Sequence, residues 1–243
     1  MRMIALFTDF TLNGPYVGQM HAVLGQLAPG VCLVDLMHDA PRCDPRAAAC
    51  LLARIVAPLP DDALVLAVVD PGVGDPGRRA VVLEADGRRF VGPDNGLLES
   101  VARTAKLSRW WQITWQPPQL SDSFHGRDLF APVAAQLATG TPLEQLAHMI
   151  PAGHFADWPT ELAEVIYVDA FGNLITGLDA GDIDVSARLV IAGNTVAGAR
   201  TFSAVPEGEL FWYHNSMGLV EIAQNRGNAA LSLGCGIGTP VEL

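Results

Sequence analysis

The stretch ALVLAVVDPGVG, residues 63–74, decides the fold of the first half of this chain. Its seven consecutive apolar residues predict a buried strand that ends at Asp70. The Pro and Gly residues after Asp70 are typical of a turn, and Arg78 and Arg79 come directly after it. Asp70 either caps this turn by accepting hydrogen bonds from backbone N–H groups or serves as a catalytic carboxylate. The residue pattern alone leaves both interpretations open.

Strands and helices alternate in the residues before this stretch. Residues 3–8 and 31–38 predict strands, and residues 14–30 predict a helix because their apolar residues recur at three- and four-residue steps. A second helix is predicted to begin at Asp44, a typical N-cap residue, with Pro45 in its first turn. The order strand, helix, strand, helix, strand predicts an α/β domain with an open, largely parallel sheet and right-handed crossovers.

The residues after the turn predict a hairpin and two further helices. The hairpin covers residues 80–93, with Asp86-Gly87 at its tip, and the helices cover residues 96–105 and 129–140.

The pattern changes beyond residue 150. Residues 153–162 contain prolines and little periodicity, and we predict that they form a linker. Later segments are short and extended, with Gly and Asn between them, which is typical of a small barrel or sandwich. We therefore expect an α/β domain over residues 1–152 and an all-β, barrel-like domain over residues 163–243.

The composition narrows the class of protein. Half of the 243 residues are hydrophobic, and the formal net charge of −11 argues against general binding to nucleic acids or anionic membranes. No apolar run has the length of a membrane span, and the first residues lack the features of a signal peptide. The four cysteines form no CxxC pair, so we expect reduced thiols and a cytoplasmic protein.

Three candidate residues fall at predicted strand ends. Asp9, His38 and Asp70 would share the rim where ligands bind in open α/β sheets. Arg78 would either return to Asp70 as an ion pair or face solvent. These side chains, together with His125, could hold a divalent metal, but no ligand spacing such as HExxH supports that hypothesis, and we predict no metal.

The segment FHGRD, residues 124–128, places a histidine beside glycine just before a predicted helix. His125 is suited to proton transfer near neutral pH, although a hydrogen-bonded structural histidine is the simpler interpretation. Asp128 would stabilise the first helical turn. Three further polar segments are explained equally well as turns: residues 92–98, 169–173 and 214–218. The phosphate-binding motif GxxxxGK[ST] is missing from the sequence.

Eight segments, taken in order along the whole chain, resemble the S-adenosylmethionine hydroxide adenosyltransferase family, which is related to fluorinating and chlorinating enzymes. They are TDF (8–10), YVGQMHAVL (16–24), VDLMHDAP (34–41), VVDPGVG (68–74), GPDNGLL (92–98), FHGRDLFAPVAA (124–135), DAFGNLIT (169–176) and NSMGLVEIA (215–223). The resemblance implies an α/β domain followed by a small β-barrel-like domain. It also implies a homotrimer whose active sites lie between the first domain of one subunit and the second domain of its neighbour.

The reaction implied by the resemblance is attack of water on the 5′ carbon of S-adenosylmethionine, giving adenosine and methionine without a metal or a cofactor. The family's catalytic set falls on Asp70, Arg78 and His125. The turn is one residue longer than is usual in the family, so Arg79 is the alternative to Arg78. Arg78 is expected to hold Asp70 ionised, since charge pairing lowers the pKa of an acid. Halide-using relatives have tyrosine at the position of Asp70, and the fluorinating ones have serine at the position of Gly126, so water is the expected nucleophile.

The same resemblance assigns residues to the ribose and methionine parts of the substrate. Asp9 would bind the ribose hydroxyls, and Asp169 and Ser216 would hold the amino and carboxylate end of methionine. Asn95 is a further substrate-binding candidate. Met217 stands where fluorinating relatives have arginine, which departs from their pattern.

Adenine would be held by residues of the second domain. The resemblance implies stacking on Phe171, a hydrogen bond from Asn173 to the edge of the base, and backbone contacts at Ile222 and Ala223.

Three other functions remain as alternatives. The first is a halide-using adenosyl transferase. The second is a non-catalytic protein that binds adenosine or S-adenosylmethionine, and the third is a metal-dependent hydrolase built on Asp9, His38 and Asp70.

Overall fold

A computed structural model of the protein describes residues 3–151, 155 and 157–243. The chain divides into two compact units, Met1–Asp157 and Trp158–Leu243. The predicted linker, residues 153–162, falls partly outside the described residues. None of the helices in the described residues is long and apolar enough to cross a membrane.

The first unit contains seven strands and four α-helices among the described residues. In chain order they are β1 (Met3–Thr8), α1 (Tyr16–Leu27), β2 (Cys32–Met37), α2 (Pro45–Ile55), β3 (Leu64–Val68), β4 (Ala80–Ala85), β5 (Arg88–Pro93), α3 (Glu99–Thr104), β6 (Ser108–Ile113), α4 (Ala131–Thr139) and β7 (Ala147–Ile150).

The seven strands form one mixed sheet in the order β2-β1-β3-β5-β4-β6-β7. Neighbouring strands from β2 to β5 run parallel, whereas the pairs β5-β4, β4-β6 and β6-β7 are antiparallel. The prediction of a largely parallel sheet is therefore wrong for half of the sheet. The two-residue turn between β4 and β5 forces an antiparallel pair, and β6 and β7 extend that antiparallel edge.

Helices cover both faces of this sheet, and β1 shows why its residues are apolar throughout. Ile4 and Leu6 pack in one core with α1 and α4, and Ala5 and Phe7 pack in a second core with α2 and α3. A strand buried on both faces reads as a continuous apolar run because alternate side chains enter different cores. Helices packed on both faces of the sheet thereby fix the position of the end of β1.

Two predicted boundaries agree with the structure: the start of α2 and the tip of the β4-β5 hairpin. The Asp44 side chain accepts hydrogen bonds from the backbone N–H groups of Arg46 and Ala47, at 3.1 and 3.0 Å, and Pro45 begins α2. Asp86 and Gly87 form the tip of the β4-β5 hairpin.

The second unit contains seven strands and one short α-helix. They are β8 (Leu162–Val168), β9 (Leu174–Asp179), β10 (Arg188–Ile191), β11 (Asn194–Gly198), β12 (Leu210–His214), β13 (Leu219–Gln224), α5 (Ala229–Leu233) and β14 (Val241–Glu242). The helix α5 corrects the prediction that this domain is all-β.

The sheet of the second unit is nearly closed. Its order is β14-β10-β11-β12-β13-β9-β8. The two edges meet where Glu164 pairs with Pro240 and where Val165 exchanges backbone hydrogen bonds of 2.9 and 2.8 Å with Thr239 and Gly238. This arrangement is barrel-like, because closing a sheet on itself pairs the edge strands.

Candidate active site

Four polar residues follow the parallel strands at one edge of the first sheet. Asp9, His38 and Asp94 come directly after β1, β2 and β5, and Asp70 is the second residue after β3. The register pairs the last residue of β1 with the last residue of β3, so Asp9 and Asp70 leave the sheet at the same level. In open α/β sheets, ligands bind at the carboxyl ends of the parallel strands.

The turn after β3 brings Arg78 back to Asp70. Backbone hydrogen bonds join Val73 to Asp70, Asp75 to Gly72 and Arg78 to Asp75, at 3.3, 3.1 and 3.1 Å. Three successive turns thus accommodate the additional residue of the DPG segment. The side chain of Arg78 then lies over the start of the same loop.

Gly74 allows this turn to approach the segment that precedes His125. Its φ is +86°, and a Cβ atom at this position would lie 2.5 Å from the carbonyl oxygen of Asp122. Any other residue would therefore be strained and would separate the two loops.

Arg78 joins the buried side chain of Asp70 and the partly buried His125 in one group. Its Nη2 atom lies 3.0 Å from Asp70 Oδ2 and 2.9 Å from His125 Nδ1. Its Nε–H donates to the carbonyl oxygen of Gly72, and its guanidinium lies 5.7 Å from the ring centre of Phe130. Only 6% of the Arg78 side chain and 4% of the Asp70 side chain are exposed, so solvent screens this ion pair weakly.

Arg79 points elsewhere. Its Nε–H donates to Asp94 Oδ2 at 2.7 Å, and Asp94 is buried. Of the two arginines, Arg78 is therefore the partner of Asp70.

The carboxylate of Asp70 is short of hydrogen-bond donors. Its contact with Arg78 has the distance of an ion pair but not the angles of a hydrogen bond, and among the described residues neither carboxylate oxygen has a hydrogen-bond partner. Burial raises the pKa of Asp70, and the charge of Arg78 only partly opposes the shift. Arg78 lowers the pKa of Asp70 as expected, but burial outweighs the ion pair, so the net shift of this pKa is upward.

His125 is a neutral acceptor in this group. Burial and the charge of Arg78 lower its pKa below the ordinary value of 6.5. A guanidinium can only donate hydrogen bonds, so His125 Nδ1 must accept, and the ring proton lies on Nε2.

The segment after His125 is a π-helical turn, Gly126–Phe130, that continues into α4. The N–H of Ala131 donates to the carbonyl oxygen of Gly126, five residues earlier. Asp128 accepts from the backbone N–H of Ser121 at 3.0 Å and pairs with its neighbour Arg127, so its role is to hold this turn.

Asp9 and Asn95 lie beside the end of β3. Asp9 Oδ2 accepts from the backbone N–H of Cys43 at 3.0 Å. The pKa of Asp70 is raised mainly by burial, and the negative charge of Asp9 makes a smaller contribution in the same direction. Asn95 Nδ2 donates to the carbonyl oxygen of Val69 at 2.9 Å. Asn95 thus ties the PDNG turn to the residue before Asp70.

His38 does not join the Asp70 group. Its Nδ1 atom lies 2.8 Å from Thr8 Oγ1, and its Nε2 atom lies 3.0 Å from Asp35 Oδ1. Among the described residues, no set of three potential metal ligands includes Asp9 or Asp70. The described geometry therefore gives no support to a metal site built on Asp9, His38 and Asp70.

A second candidate site is a cavity of about 530 Å³ in the second unit. It is lined by Asp169, Phe171, Asn173, Phe202, Tyr213, Glu221, Gln224, Arg226 and Gly227.

The segment DAFGN forms a tight turn at this cavity. Asp169 Oδ1 accepts from the backbone N–H groups of Phe171 and Asn173, and Asp169 Oδ2 accepts from Asn173 Nδ2, all at 2.8–2.9 Å. Gly172 has a φ of +83°, and a Cβ there would overlap the Asn228 side chain. The turn leaves the Phe171 side chain 76% exposed, which is unusual for phenylalanine.

Sequence reasoning missed Glu221 and Tyr213 in this cavity. Glu221 is buried, and its two carboxylate oxygens accept from Tyr213 Oη at 2.5 Å and Asn215 Nδ2 at 3.0 Å. Burial and the neighbouring Glu221 raise the pKa of Tyr213, so its hydroxyl stays protonated. The signal available in the sequence was an acidic residue inside the apolar strand LVEIAQ.

Three other predicted residues do not line the cavity. Ser216 is exposed in the β12-β13 turn, which Asn215 closes by accepting from the backbone N–H groups of Met217 and Leu219. Ile222 and Ala223 lie in β13 with fully buried side chains.

The fold and the first site define a class of protein: a unit with a mixed α/β sheet that carries a buried carboxylate–guanidinium–imidazole group at its strand ends, followed by a nearly closed β unit. Two family profiles match the chain. The S-adenosylmethionine (SAM) hydroxide adenosyltransferase N-terminal domain matches residues 4–147, and the C-terminal domain of the same family matches residues 163–242. The chain therefore belongs to the SAM hydroxide adenosyltransferase family.

Several known proteins are similar along nearly the whole chain. A Thermus thermophilus protein named (R)-S-adenosyl-L-methionine hydrolase is 42% identical, with 100% of both chains covered. A Salinispora arenicola protein of the same name is 39% identical, covering 93% of this chain and 92% of that protein. A Nocardia brasiliensis fluorinase is 20% identical, covering 99% and 96%. The crystal structure of an uncharacterized conserved protein from Thermotoga maritima matches with a TM-score of 0.90 at 32% identity, covering 99% of both chains.

Proposed function

We propose that this protein hydrolyses S-adenosyl-L-methionine to adenosine and L-methionine by attack of water on the 5′ carbon. The observation that carries the proposal is the buried carboxylate of Asp70: among the described residues its oxygens have no hydrogen-bond partner, while Arg78 pairs with the carboxylate and His125 holds Arg78. Such a carboxylate is ready to accept a hydrogen bond from a water molecule. The relatives named as hydrolases of the same substrate support the choice of reaction.

Asp70 acts as the general base in this mechanism. The water oxygen forms a bond to the 5′ carbon while the bond from that carbon to sulfur breaks. The electron pair of the broken bond stays on sulfur, which turns the sulfonium into the neutral thioether of methionine. The proton lost by the water passes to Asp70, whose raised pKa makes it a stronger base than an exposed aspartate.

Arg78 and His125 position the base. The charge of Arg78 opposes protonation of Asp70, and the hydrogen bond to His125 Nδ1 fixes the orientation of the guanidinium. His125 is not the proton acceptor, because Nδ1 already accepts from Arg78 and Nε2 carries the ring proton. Orienting a weak nucleophile in this way is worth up to about 7–11 kcal/mol when it is ideal.

Asp9 and Asn95 are proposed to bind the substrate beside this group. Asp9 uses one carboxylate oxygen for the backbone of Cys43, and a ribose hydroxyl would donate to the same carboxylate. Its charge also attracts the cationic sulfonium. Asn95 contributes through the turn that it ties to the end of β3.

The cavity of the second unit is proposed to hold adenine and the methionine end. The exposed ring of Phe171 offers a stacking surface, and Asn173 would bind the edge of the base. Backbone contacts from Ile222 and Ala223, which do not line the cavity, are proposed from the family resemblance alone. Asp169 and Ser216 are proposed to bind the amino and carboxylate groups of methionine. The assignments of Asp169 and Ser216 rest on the family resemblance.

We infer further that the protein is a cytoplasmic homotrimer of two-domain subunits, with each active site built from the first domain of one subunit and the second domain of its neighbour. The apolar side chains of Leu12 and Val73, in the loops that follow β1 and β3, and of Tyr16, at the start of α1, are exposed. Exposed apolar residues of this kind support an interface with a neighbouring subunit. The four free cysteines are consistent with a reducing compartment. Light scattering coupled to size-exclusion chromatography would measure the mass of the assembly.

Product analysis in ¹⁸O-labelled water tests the proposed reaction. Purified protein is incubated separately with the (R) and (S) sulfonium epimers of S-adenosyl-L-methionine, since the relatives' names specify the (R) form. The expected products are methionine and adenosine labelled at the 5′ hydroxyl. Release of methylthioadenosine alone would contradict the proposal, and tight binding without turnover would favour the non-catalytic binding protein.

Two controls separate the remaining alternatives. Added chloride or fluoride should leave adenosine as the product, whereas a 5′-halogenated nucleoside would identify a halide-using transferase. Activity should also persist after treatment with a chelator, and its loss would favour the metal-dependent hydrolase.

A further inference from the structure

A second group of ionisable side chains lies in the first unit, apart from the Asp70 group. It consists of His21 on α1, Asp35 on β2 and His38 just after β2. Among the described residues, it is the set of three His, Cys, Asp or Glu side chains whose ligand atoms all lie within 4.8 Å of one another. The proposed reaction uses none of the three.

The three potential ligand atoms converge on a small space. Asp35 Oδ1 lies 2.6 Å from His21 Nε2 and 3.0 Å from His38 Nε2. Ligands at about 2.0–2.1 Å from a Zn²⁺ ion are roughly 2.8–3.0 Å apart when adjacent in octahedral geometry and roughly 3.3–3.4 Å apart in tetrahedral geometry. A shift of a few tenths of an ångström at His21 would meet this spacing, and His21 has the freedom to shift because 34% of its side chain is exposed.

A further hydrogen bond positions the His38 ring from the opposite side. His38 is almost fully buried, and its Nδ1 atom lies 2.8 Å from the hydroxyl of the buried Thr8. Histidines that bind metals usually hydrogen-bond through their other ring nitrogen, which sets the tautomer and the direction of the ring. A hydroxyl accepts or donates, so Thr8 supports His38 whether the ring proton is on Nε2 or on Nδ1.

The protons balance on exchange of hydrogen bonds for metal bonds. Without metal, both histidines donate their Nε2–H groups to Asp35. A metal ion that binds Nε2 displaces this proton: a ring that carries one proton keeps it on Nδ1, and a ring that carries two releases the Nε2 proton to solvent. His38 then donates from Nδ1 to the Thr8 hydroxyl, and Asp35 remains a carboxylate.

We propose that His21 Nε2, Asp35 Oδ1 and His38 Nε2 form a site for a divalent transition-metal ion such as Zn²⁺. Two imidazoles and one carboxylate suit zinc, cobalt or nickel better than magnesium or calcium, which prefer ligand sets made of oxygen alone. The exposed side of Asp35 leaves room for water on the remaining positions of the ion. The ion would join α1 to the end of β2 and is not part of the proposed hydrolysis, so the site is independent of the proposed function.

Titration of the untagged, chelator-treated protein with ZnCl₂ in a calorimeter tests the site. We expect saturable binding of a single Zn²⁺ per chain and, with CoCl₂, the visible absorbance bands of bound Co²⁺. His21→Gln and Asp35→Asn should each weaken binding by more than about 10-fold. His148→Gln is the matched control, since His148 is an exposed histidine on β7 outside the group, and it should leave binding unchanged.

Long-range ¹H–¹⁵N spectra of the histidine rings give a readout that does not depend on folding stability. Zn²⁺ should move the proton of His21 and of His38 to Nδ1 and leave the signals of His148 unchanged. His21→Gln lies on an exposed helix surface, so it keeps the test informative if Asp35→Asn fails to fold. Absence of saturable binding, or binding of equal strength in the His21→Gln protein, would show that the group is only a hydrogen-bonded network and would overturn the proposal.

Discussion

Arg78 Nη2 lies 2.9 Å from His125 Nδ1, and this contact determines the protonation state of the imidazole. Because a guanidinium has no lone pair to offer, His125 must be the acceptor and must be neutral to fill that role. The same guanidinium lies 3.0 Å from Asp70. Arg78 thus couples the state of the histidine to the position of the carboxylate.

The acid limb of the pH–rate profile is expected to reflect both residues. The pKa of Asp70 is raised by burial, so protonation removes the base at a higher pH than for an exposed aspartate with a pKa near 3.8. The pKa of His125 is lowered by burial and by Arg78, so the imidazolium that releases Arg78 forms only below pH 6.5. We expect kcat/KM to be flat at neutral pH and to fall through both steps as the pH decreases.

His125→Gln separates these two steps, because the glutamine amide oxygen still accepts from Arg78 but does not titrate. Its profile should retain only the step that belongs to Asp70. An unchanged profile in this variant would exclude His125 from the pH dependence.

Asp70→Asn is expected to reduce kcat by about 10²–10⁴-fold, because the amide matches the carboxylate in size but is not a base. Steady-state release of adenosine measures the loss, and circular dichroism checks the fold. Asp61→Asn is the matched control, since the Asp61 side chain is 97% exposed, and it should retain full activity. Comparable activity of the two variants would remove Asp70 from the mechanism.

The two adjacent arginines are expected to differ in their effect on the reaction. Arg78→Lys loses the planar fork that contacts Asp70 and His125 together, and we expect kcat/KM to fall by about 10–100-fold, as for the loss of a charged hydrogen bond worth about 1.5–3 kcal/mol. Arg79→Lys changes only the pair with Asp94 and should alter kcat/KM much less. Equal losses in the two variants would contradict the assignment of Arg78.

Phe171→Ala is expected to raise KM by about 10-fold without changing the thermal midpoint. Stacking of a base on an aromatic ring is worth about 1–3 kcal/mol, whereas a ring that is 76% exposed contributes little to folding. Leu231→Ala provides the control, because Leu231 is 81% exposed on α5 and does not line the cavity. If both variants kept the KM of the wild-type protein, adenine would not stack on Phe171.

Asp44→Ala is expected to destabilise the first unit by about 1 kcal/mol, since Asp44 accepts two backbone hydrogen bonds at the start of α2. Urea unfolding monitored by circular dichroism would measure the change. Asp61→Ala removes only a surface ion pair with Arg88 and should cost less than about 0.5 kcal/mol. A similar cost for both would mean that the cap is not important.

Features that depend on neighbours in the chain could be predicted from the sequence. The apolar run before Asp70 predicted a buried strand, which the structure has as β3, and Asp44-Pro45 predicted the start of α2. The motifs carried the family assignment, which the matching profiles confirm. These signals are local because strands, caps and turns are decided largely by adjacent residues.

Features that depend on distant contacts were missed or left with alternatives. The strand β7 has only four residues and forms because it pairs with β6 at the sheet edge, so neither strand was predicted. Arg78 and Arg79 are neighbours in the sequence, and only the course of the preceding turn decides which of them faces Asp70. The upward shift of the Asp70 pKa likewise depends on burial by parts of the chain that no local pattern reveals.

The π-helical turn at Gly126–Phe130 holds one residue more than an α-helical turn of the same rise. Deleting a single residue there would let the segment continue α4 as an ordinary helix and would rotate everything before it by about 100°. The imidazole of His125 would then swing away from the guanidinium of Arg78, although every residue of the group would still be present. In this segment, the length of the chain is therefore as much a determinant of chemistry as the identity of its side chains, and an insertion or deletion could switch the reaction off without touching a single functional group.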